Sequence, residues 1–258
     1  MEGEEILYEV RGQITIITLN QPTKLNALNG PQYLQLGKFI EQADKEEDTL
    51  VTIVQSTGRY FSSGANIADK RITKVETLKL FLHEYWLDNF VARNAFLGDL
   101  FQNHTKILVA SLNGPVIGLS AALVSLCDLV YCYDEAKTFL LAPFANLGLV
   151  AEGAASATLF ARLGWSKLAE ALLLARPIPG PELISLGFIN KLYKGTVSSV
   201  EEFNNKVASD MAHYILALHP ELIIENKQLL KNQRDLLVSL ATQKELVMGF
   251  NKWVQGIP

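Results

Sequence analysis

The feature that most constrains the fold of this chain is an apolar run that ends in a glycine turn and continues into small residues. Residues 113–128 read NGPVIGLSAALVSLCD and follow the β-type run at 107–112. The pattern predicts a strand, a tight turn and then a buried helix, whose first N–H groups have no partner inside the helix. A second turn of similar character, FSSGAN at residues 61–66, follows another apolar run. Two such turns facing each other would form an oxyanion hole with two backbone donors.

Short runs rich in Ile, Val and Thr recur along the chain and are separated by segments long enough for helices. They lie at residues 14–19, 50–55, 107–112, 129–133 and 188–193. This alternation predicts an α/β fold with crossover connections between strands.

Helical patterns fill much of the remaining sequence. Residues 31–45 place apolar side chains at helical spacing, and residues 68–94 predict one or two further helices. After the last strand, residues 200–253 predict helices interrupted near His219 and Pro220. We therefore divide the chain into a core at residues 1–199 and a C-terminal helical region at residues 200–258.

Composition excludes several classes of protein. The chain has 258 residues, of which 49% are hydrophobic, and this is ample for a well-buried core. The net charge of −4 argues against a nucleic-acid groove, which needs clustered Lys and Arg. The longest weakly polar stretch, residues 114–127, is too short and too rich in Gly and Ser to cross a bilayer. The acidic N-terminus does not have the pattern of a secretory signal.

The residue types that carry metal, redox or hydrolase chemistry are not arranged for it. Two cysteines and four histidines show no metal-ligand spacing. There is no phosphate loop and no GxGxxG motif. Ser120 lies in a sequence that approaches a nucleophile elbow, but Ala122 stands where the second glycine is required. We therefore expect neither a metal nor a redox cofactor.

Four motifs in a fixed order resemble the crotonase (enoyl-CoA hydratase/isomerase) superfamily. They are NALN at 26–29, SSGAN at 62–66, NGPVIGL at 113–119 and Cys-Asp at 127–128. Two further segments, FVARN at 90–94 and PFANLGLVAEG at 143–153, resemble the branch of fungal peroxisomal Δ3,Δ2-enoyl-CoA isomerases. The resemblance runs from about residue 6 to at least residue 193, and more weakly to the end.

The resemblance implies both an architecture and a setting. The fold would be a ClpP-like spiral of β-β-α turns, with C-terminal helices that assemble homotrimers or homohexamers. The substrate would be an acyl-CoA thioester, so that CoA belongs to the substrate and no separate cofactor is needed. The location would be the peroxisome, in the β-oxidation of unsaturated fatty acids. The sequence ends in Gln-Gly-Ile-Pro without a Ser-Lys-Leu-type signal, so we expect either trimming at this end or a signal elsewhere.

The resemblance also implies catalytic residues. The oxyanion donors would be the backbone N–H groups of Ala65 and Leu119, with Gly64 and Gly118 supplying the turns. The base would be Glu152, whose small apolar neighbours should raise its pKa by desolvation. From the residues alone, a surface glutamate at a helix N-terminus is the favoured explanation of Glu152. Asn94 would order the glutamate, with an exposed helical asparagine as the alternative.

Substrate binding is implied for a further set of residues: Lys24, Asn26, Ala27, Leu28, Ser63, Gly64, Asn66, Ile67, Gly118 and Phe144. The loop at residues 24–28 would hold the adenine and pantetheine through its backbone. Lys24 would be a candidate phosphate partner, and an exposed loop lysine is the alternative. Asn66 departs from the aspartate usual in its loop. Phe144 would shape the tunnel for the acyl chain.

These roles imply an isomerase that moves the double bond of a 3-enoyl-CoA to trans-2-enoyl-CoA by a 1,3-proton transfer. Hydratases of the superfamily use two glutamates, and here Ala122 and Phe144 stand at those positions, so hydration is disfavoured. Two alternatives stay open. One is a Δ3,5-Δ2,4-dienoyl-CoA isomerase, which typically adds a further carboxylate. The other is a non-catalytic module that binds acyl-CoA or a protein.

Overall fold

The computed structural model describes residues 4–66, 84 and 86–254. Its strands are β1 (Ile6–Arg11), β2 (Ile14–Leu19), β3 (Val51–Ser56), β4 (Ile107–Leu112), β5 (Val116–Ile117), β6 (Leu129–Cys132), β7 (Phe139–Leu141), β8 (Ile178–Pro179) and β9 (Lys191–Leu192). Its α-helices are α1 (Gly30–Lys45), α2 (Arg93–Asn103), α3 (Leu119–Leu126), α4 (Ala155–Leu173), α5 (Gly180–Ser185), α6 (Val200–Ile215) and α7 (Pro220–Val254). A π-helical segment, Leu87–Ala92, leads directly into α2, and three short 3-10 turns lie at Pro22–Lys24, Glu135–Lys137 and Ala145–Leu147.

The larger sheet has six strands in the order β1-β2-β3-β4-β6-β9. Only β1 runs antiparallel to its neighbour, with Ile6 opposite Leu19, and the other neighbouring strands pair in parallel. All six residues of β2 and all six of β3 are buried. Strands that are buried along their whole length are typical of a parallel sheet that is covered on both faces. The α/β prediction is therefore confirmed.

A second sheet has three strands in the order β5-β7-β8. The chain passes from β4 in the large sheet to β5 in the small sheet and then into α3. It repeats this path from β6 to β7 and then into α4. Each repeat is one β-β-α turn of the spiral that the sequence analysis expects. The path brings the start of α3 to the edge of the small sheet.

Helices cover the sheets through amphipathic faces. The helix α1 begins with a capping box, in which Asn29 accepts from Gln32 N and Gln32 accepts from Asn29 N. Its buried face includes Tyr33 and Ile40. On another face of the large sheet, α6 buries Phe203 and other apolar side chains against residues of β2 and β3. All described strands lie before residue 200, and the described residues from 200 onwards form α6, α7 and the turn between them. The division into two domains at this point stays a prediction.

The differences from the sequence-based prediction are local. The strand predicted at residues 188–193 is reduced to β9, because Phe188 N donates to Leu183 O at 2.9 Å and closes the turn after α5. The strands β5, β7 and β8 are two or three residues long and give no readable alternation. Of the helices predicted at residues 68–94, residues 68–83 and 85 lie outside the described part of the chain, and residues 84 and 86–94 are helical.

The longest helix, α7, has 35 residues and begins at Pro220, where the sequence predicts a helix boundary. Arg234 connects it to two other helices, since its Nη2 donates to Gln102 O at 2.7 Å and its Nη1 donates to Leu126 O at 3.2 Å. The positive charge of Arg234 beside these carbonyl groups stabilises the C-terminal ends of α2 and α3. Within residues 4–66 and 86–254, no helix combines the length and the apolar character needed to span a membrane.

Candidate active site

The two glycine turns predicted from the sequence lie against each other. Gly64 has a φ of 84° and Gly118 a φ of 62°, a region that side chains rarely adopt. Ile117 N donates to Ser62 O at 3.0 Å, so the first turn pairs with the strand that leads into the second. A Cβ atom on Gly64 would lie 2.7 Å from Ile117 O. Only glycine therefore permits this close approach of the two backbones.

The N–H groups of Ala65 and Leu119 have no acceptor within the described part of the chain, although the N–H group just before each of them is bonded. Gly64 N donates to Ser62 Oγ at 3.1 Å, and Gly118 N donates to Leu141 O at 2.9 Å. Leu119 is buried and Ala65 is half-buried. Because buried backbone donors are nearly always paired, two unpaired ones on touching turns indicate room for an acceptor from a ligand.

The loop at residues 24–28 holds the first turn in place. Leu28 N donates to Gly64 O at 2.9 Å, and Asn66 N donates to Leu28 O at 2.9 Å. The Asn26 side chain is fully buried, where it accepts from Gln21 N and donates to two backbone carbonyls. That side chain has a structural role, so a ligand would meet only the backbone here. Asn26 itself has a φ of 52°, which asparagine tolerates better than most residues.

The other residues implied in substrate binding are placed as follows. Lys24 is exposed, with its Nζ 3.6 Å from Glu5 Oε1, and such an exposed pair is weak enough to be exchanged for a phosphate. Ser63 N donates to Leu25 O at 3.0 Å, and Ala27 N donates to Lys24 O at 3.1 Å, so neither amide is free. Phe144 is buried. Ile67 lies outside the described residues.

Glu152 lies in the loop before α4 and is 8% exposed. Asn94, which is 1% exposed near the start of α2, donates from Nδ2 to Glu152 Oε2 at 2.5 Å. Arg93 in turn donates from Nε to Asn94 Oδ1 at 3.2 Å. The two polar residues implied by the resemblance are thus in contact. Glu152 is not the surface residue that the alternative interpretation expects.

The electrostatic environment changes the acidity of Glu152. Burial is the largest effect and raises the pKa of this carboxyl group from its ordinary 4.5 to about 7. Arg93 opposes the rise, the negative charge of Glu245 adds to it, and the hydrogen bond from Asn94 opposes it. A carboxylate with a pKa near neutrality can take a proton and later return it, as a general acid–base catalyst must.

The Glu152 loop packs on the first turn of α3. A Cβ atom on Gly153 would lie 2.8 Å from Leu119 Cδ1 and 3.0 Å from Ala122 Cβ. The Glu152 loop therefore contacts α3 through Gly153. The helix α3 carries the unpaired N–H group of Leu119. Ala122 and Phe144, which the resemblance places at the glutamate positions of hydratases, are both buried. Gly153 fills the space beside Ala122 that a longer side chain would need.

Three further residues lie around this site that the sequence alone does not assign to it. Arg93 lies with its guanidinium 5.0 Å from the centre of the Tyr33 ring and beside Asn94. Tyr33 is fully buried, and burial raises the pKa of its hydroxyl to about 12. Glu245 lies on α7, far along the chain. The position of Arg93 next to Asn94 is the one signal that could have drawn attention to it. Neither Tyr33 nor Glu245 lies in a recognisable motif.

The described residues contain no group of three or more His, Cys, Asp or Glu side chains that could hold a metal ion. The expectation that the chain needs no metal or redox cofactor stays a prediction.

Comparison with known proteins identifies relatives along the whole chain. A family model described as enoyl-CoA hydratase/isomerase matches residues 9–255. A 3,2-trans-enoyl-CoA isomerase of Saccharomyces cerevisiae is 38% identical, with 100% of this chain and 92% of the relative covered. A Delta(3,5)-Delta(2,4)-dienoyl-CoA isomerase of Pyricularia oryzae is 36% identical, covering 97% of this chain and 92% of the relative. A crystal structure of an enoyl-CoA hydratase/isomerase from Xanthobacter autotrophicus superposes with a TM-score of 0.84 at 21% identity, covering 99% and 89% of the two chains.

Proposed function

The chain belongs to the enoyl-CoA hydratase/isomerase family, and from this we propose that it is an enoyl-CoA isomerase that converts 3-enoyl-CoA to trans-2-enoyl-CoA. The observation that supports this reaction best is a buried carboxylate, Glu152, whose loop packs on the first turn of α3, where Leu119 has an unpaired N–H group. A base and a pair of donors are the two parts that proton transfer next to a thioester needs.

The first step is removal of a proton from C2 of the substrate by the ionised carboxylate of Glu152. The electron pair left at C2 is delocalised over the chain and onto the thioester oxygen. That oxygen accepts hydrogen bonds from Ala65 N and Leu119 N. Preorganised donors of this kind are effective because they stabilise charge where it forms, and the loss of one typically costs about 10²–10³ in rate.

The second step returns the proton at the other end of the conjugated system. Protonated Glu152 donates to C4, the double bond forms between C2 and C3, and the thioester carbonyl is restored. One residue suffices because both carbons lie on the same face of one acyl chain. The pKa of about 7 for Glu152 matches the task, since its two protonation states then differ little in free energy near neutral pH.

Isomerisation of 3,5-dienoyl-CoA is the second candidate, because a relative of 36% identity carries that name. The members of this branch typically add a further carboxylate. Within the described residues, Glu245 is the other buried glutamate at this site, and both of its oxygens accept from backbone N–H groups. Both oxygens of Glu245 thus hold the start of α4, and this structural role favours the 3-enoyl-CoA reaction.

The test is a spectrophotometric assay with trans-3-hexenoyl-CoA, which follows formation of the conjugated 2-enoyl product. We expect turnover by the wild type and a loss of about 10³-fold or more in Glu152→Gln, with acyl-CoA binding retained. Glu225→Gln, an exposed glutamate on α7, is the matched control. Retention of activity within a few-fold in Glu152→Gln would exclude Glu152 as the base. Faster turnover of a 3,5-dienoyl-CoA would favour the second candidate.

We also propose a homotrimer, or a homohexamer formed from two trimers. Several apolar side chains of α7 are exposed in the single chain: Leu222, Ile224, Leu229, Leu230, Leu236, Leu237, Leu240, Val247 and Met248. A helix with so many exposed apolar residues favours burial against another subunit. Sedimentation equilibrium tests this, and a monomer at micromolar concentration would contradict it.

A peroxisomal location is proposed on the resemblance alone, and imaging of a tagged natural protein would test it.

A further inference from the structure

The helix that follows the Glu152 loop has an unusual N-terminus. Its N-cap residue is Ala154, which has no side-chain oxygen and makes no capping hydrogen bond through its side chain. Ordinary N-caps have extended backbone angles and a Ser, Thr, Asp or Asn side chain that accepts from the first turn. Ala154 instead has φ 63° and ψ 17°, in the left-handed region that non-glycine residues avoid. The first N–H groups of α4 therefore need an acceptor from outside the helix.

Glu245 of α7 supplies that acceptor. Its Oε2 accepts from Ala154 N and its Oε1 accepts from Ser156 N, both at 2.8 Å. The carboxylate is 7% exposed and comes from a position about ninety residues along the chain. A charged acceptor on two backbone donors at a helix N-terminus is a strong, directional arrangement.

The strained backbone at Ala154 lies two residues from Glu152. Gly153, between them, also has a positive φ, of 67°, and touches Leu119 and Ala122. Sparsely populated backbone conformations persist only where the surrounding structure holds them. The contacts that hold this turn are the packing of Gly153 on α3 and the two hydrogen bonds to Glu245.

The helix α7 also contacts α2, which carries Asn94, the hydrogen-bond partner of Glu152. Ser239 of α7 accepts at Oγ from Gln102 Nε2 at 3.1 Å, and Arg234 of α7 donates to Gln102 O. Gln102 belongs to α2, the helix that carries Asn94. One helix is thus bonded to both elements that meet in the Asn94–Glu152 hydrogen bond.

We propose that Glu245 is a positioning residue, through which α7 fixes the geometry and the charge environment of the Glu152 carboxylate. The proposal rests on the proposed function of Glu152 as the base. The groups that act on Glu152 in the structure are Arg93 and Asn94 from α2 and Glu245 from α7, while Glu152 in turn raises the pKa of Tyr33 on α1. Of these groups, only Glu245 places a negative charge near that of Glu152.

The experiment compares Glu245→Gln, Glu245→Ala and the control Glu225→Gln on the same helix. Glutamine keeps the shape, loses the charge and can accept only one of the two N–H groups. We expect kcat to fall about tenfold in Glu245→Gln and about 10²-fold in Glu245→Ala, with KM within about threefold, because misplacement of a catalytic group by a fraction of an ångström to 1 Å has effects of this size. The control should match the wild type in both parameters.

Two pH measurements separate positioning from a general loss of structure. In Glu245→Gln, the pH at which kcat rises on the acidic side should fall by on the order of one unit, because the negative charge of Glu245 near Glu152 has been removed. The amide ¹⁵N shift of Gly153 should report the same titration without any turnover. That titration should be absent in Glu152→Gln and should move down in Glu245→Gln.

The outcomes distinguish the two proposals. If the wild type does not isomerise 3-enoyl-CoA, but the Gly153 titration moves in Glu245→Gln, the coupling stands and the proposed function fails. If kcat falls and the Gly153 titration does not move, Glu245 does not act on Glu152 and the inference is overturned. Unchanged kcat in both Glu245 variants would overturn it equally.

Discussion

Replacement of Glu152 by glutamine should make the protein more stable at alkaline pH while it removes activity. The pKa of this carboxyl group is higher in the folded protein than in an unfolded chain, so its ionisation opposes folding. Well below pH 4.5 the group is protonated in both states and has no effect. As the pH rises towards 7, the unfolded chain ionises first, and the folded state loses stability relative to it. The loss is complete once the pH exceeds the folded pKa.

The size of the effect follows from the structure. The change from 4.5 to about 7 corresponds to about 3 kcal/mol, at about 1.4 kcal/mol per pH unit. At pH 5 the cost is about 1 kcal/mol, and at pH 8 it is nearly the full amount. Glutamine cannot ionise, and its side-chain oxygen can still accept from Asn94. The difference in stability between Glu152→Gln and the wild type should therefore grow by about 2–3 kcal/mol from pH 5 to pH 8.

The assay is urea unfolding of both proteins at pH 5 and pH 8, at one fixed protein concentration because assembly affects apparent stability. Glu225→Gln removes an exposed carboxylate and should leave the difference from the wild type nearly the same at the two pH values. If the free energies of unfolding of Glu152→Gln and the wild type change in parallel between pH 5 and pH 8, the carboxyl group has an ordinary pKa, and the argument from its burial is wrong.

Three further predictions concern the same site. The kcat/KM of the wild type should rise with pH through about 7, because the base must be ionised, and a profile flat from pH 5 to 9 would contradict this. Asn94→Ala should raise the pKa of Glu152 and shift the rise of kcat/KM to higher pH, since the hydrogen bond from Asn94 favours the charged form. A shift to lower pH would refute this. Gly64→Ala should lower kcat by about 10²–10³, because its Cβ would clash with Ile117 O and displace the adjacent donor. Gly12→Ala, which has a positive φ of 56° and no atom within 4 Å of the added Cβ, separates this clash from backbone strain in the same assay and in thermal unfolding.

The parts of the fold that the sequence predicts well are those with a local cause. The strands β2 and β4 have the predicted boundaries, because each is a run rich in residues that favour strands and is flanked by polar residues. The glycine turns at Gly64 and Gly118 are readable because only glycine suits their backbone angles. The short strands β5 and β7 have no local signal, since they exist through pairing with distant segments.

The site is less predictable than the fold for the same reason. The resemblance identifies Glu152 and Asn94, and the structure brings them into contact. Their burial depends on packing that no nearby residue encodes. Glu245 is an ordinary glutamate in a charged helical stretch, and its contact with Ala154 depends on the position of α7 in the folded chain. Long-range contacts of this kind cannot be read from periodicity or turn chemistry.

The π-helical segment Leu87–Ala92 has a consequence for the number of residues that this part of the chain can have. A π-turn accommodates one more residue than an α-turn, and each residue of an α-helix advances the side-chain direction by about 100°. Asn94 follows the segment by two positions, so shortening it by one residue would turn this amide away from Glu152. Insertions and deletions are therefore constrained here as strongly as side-chain identity.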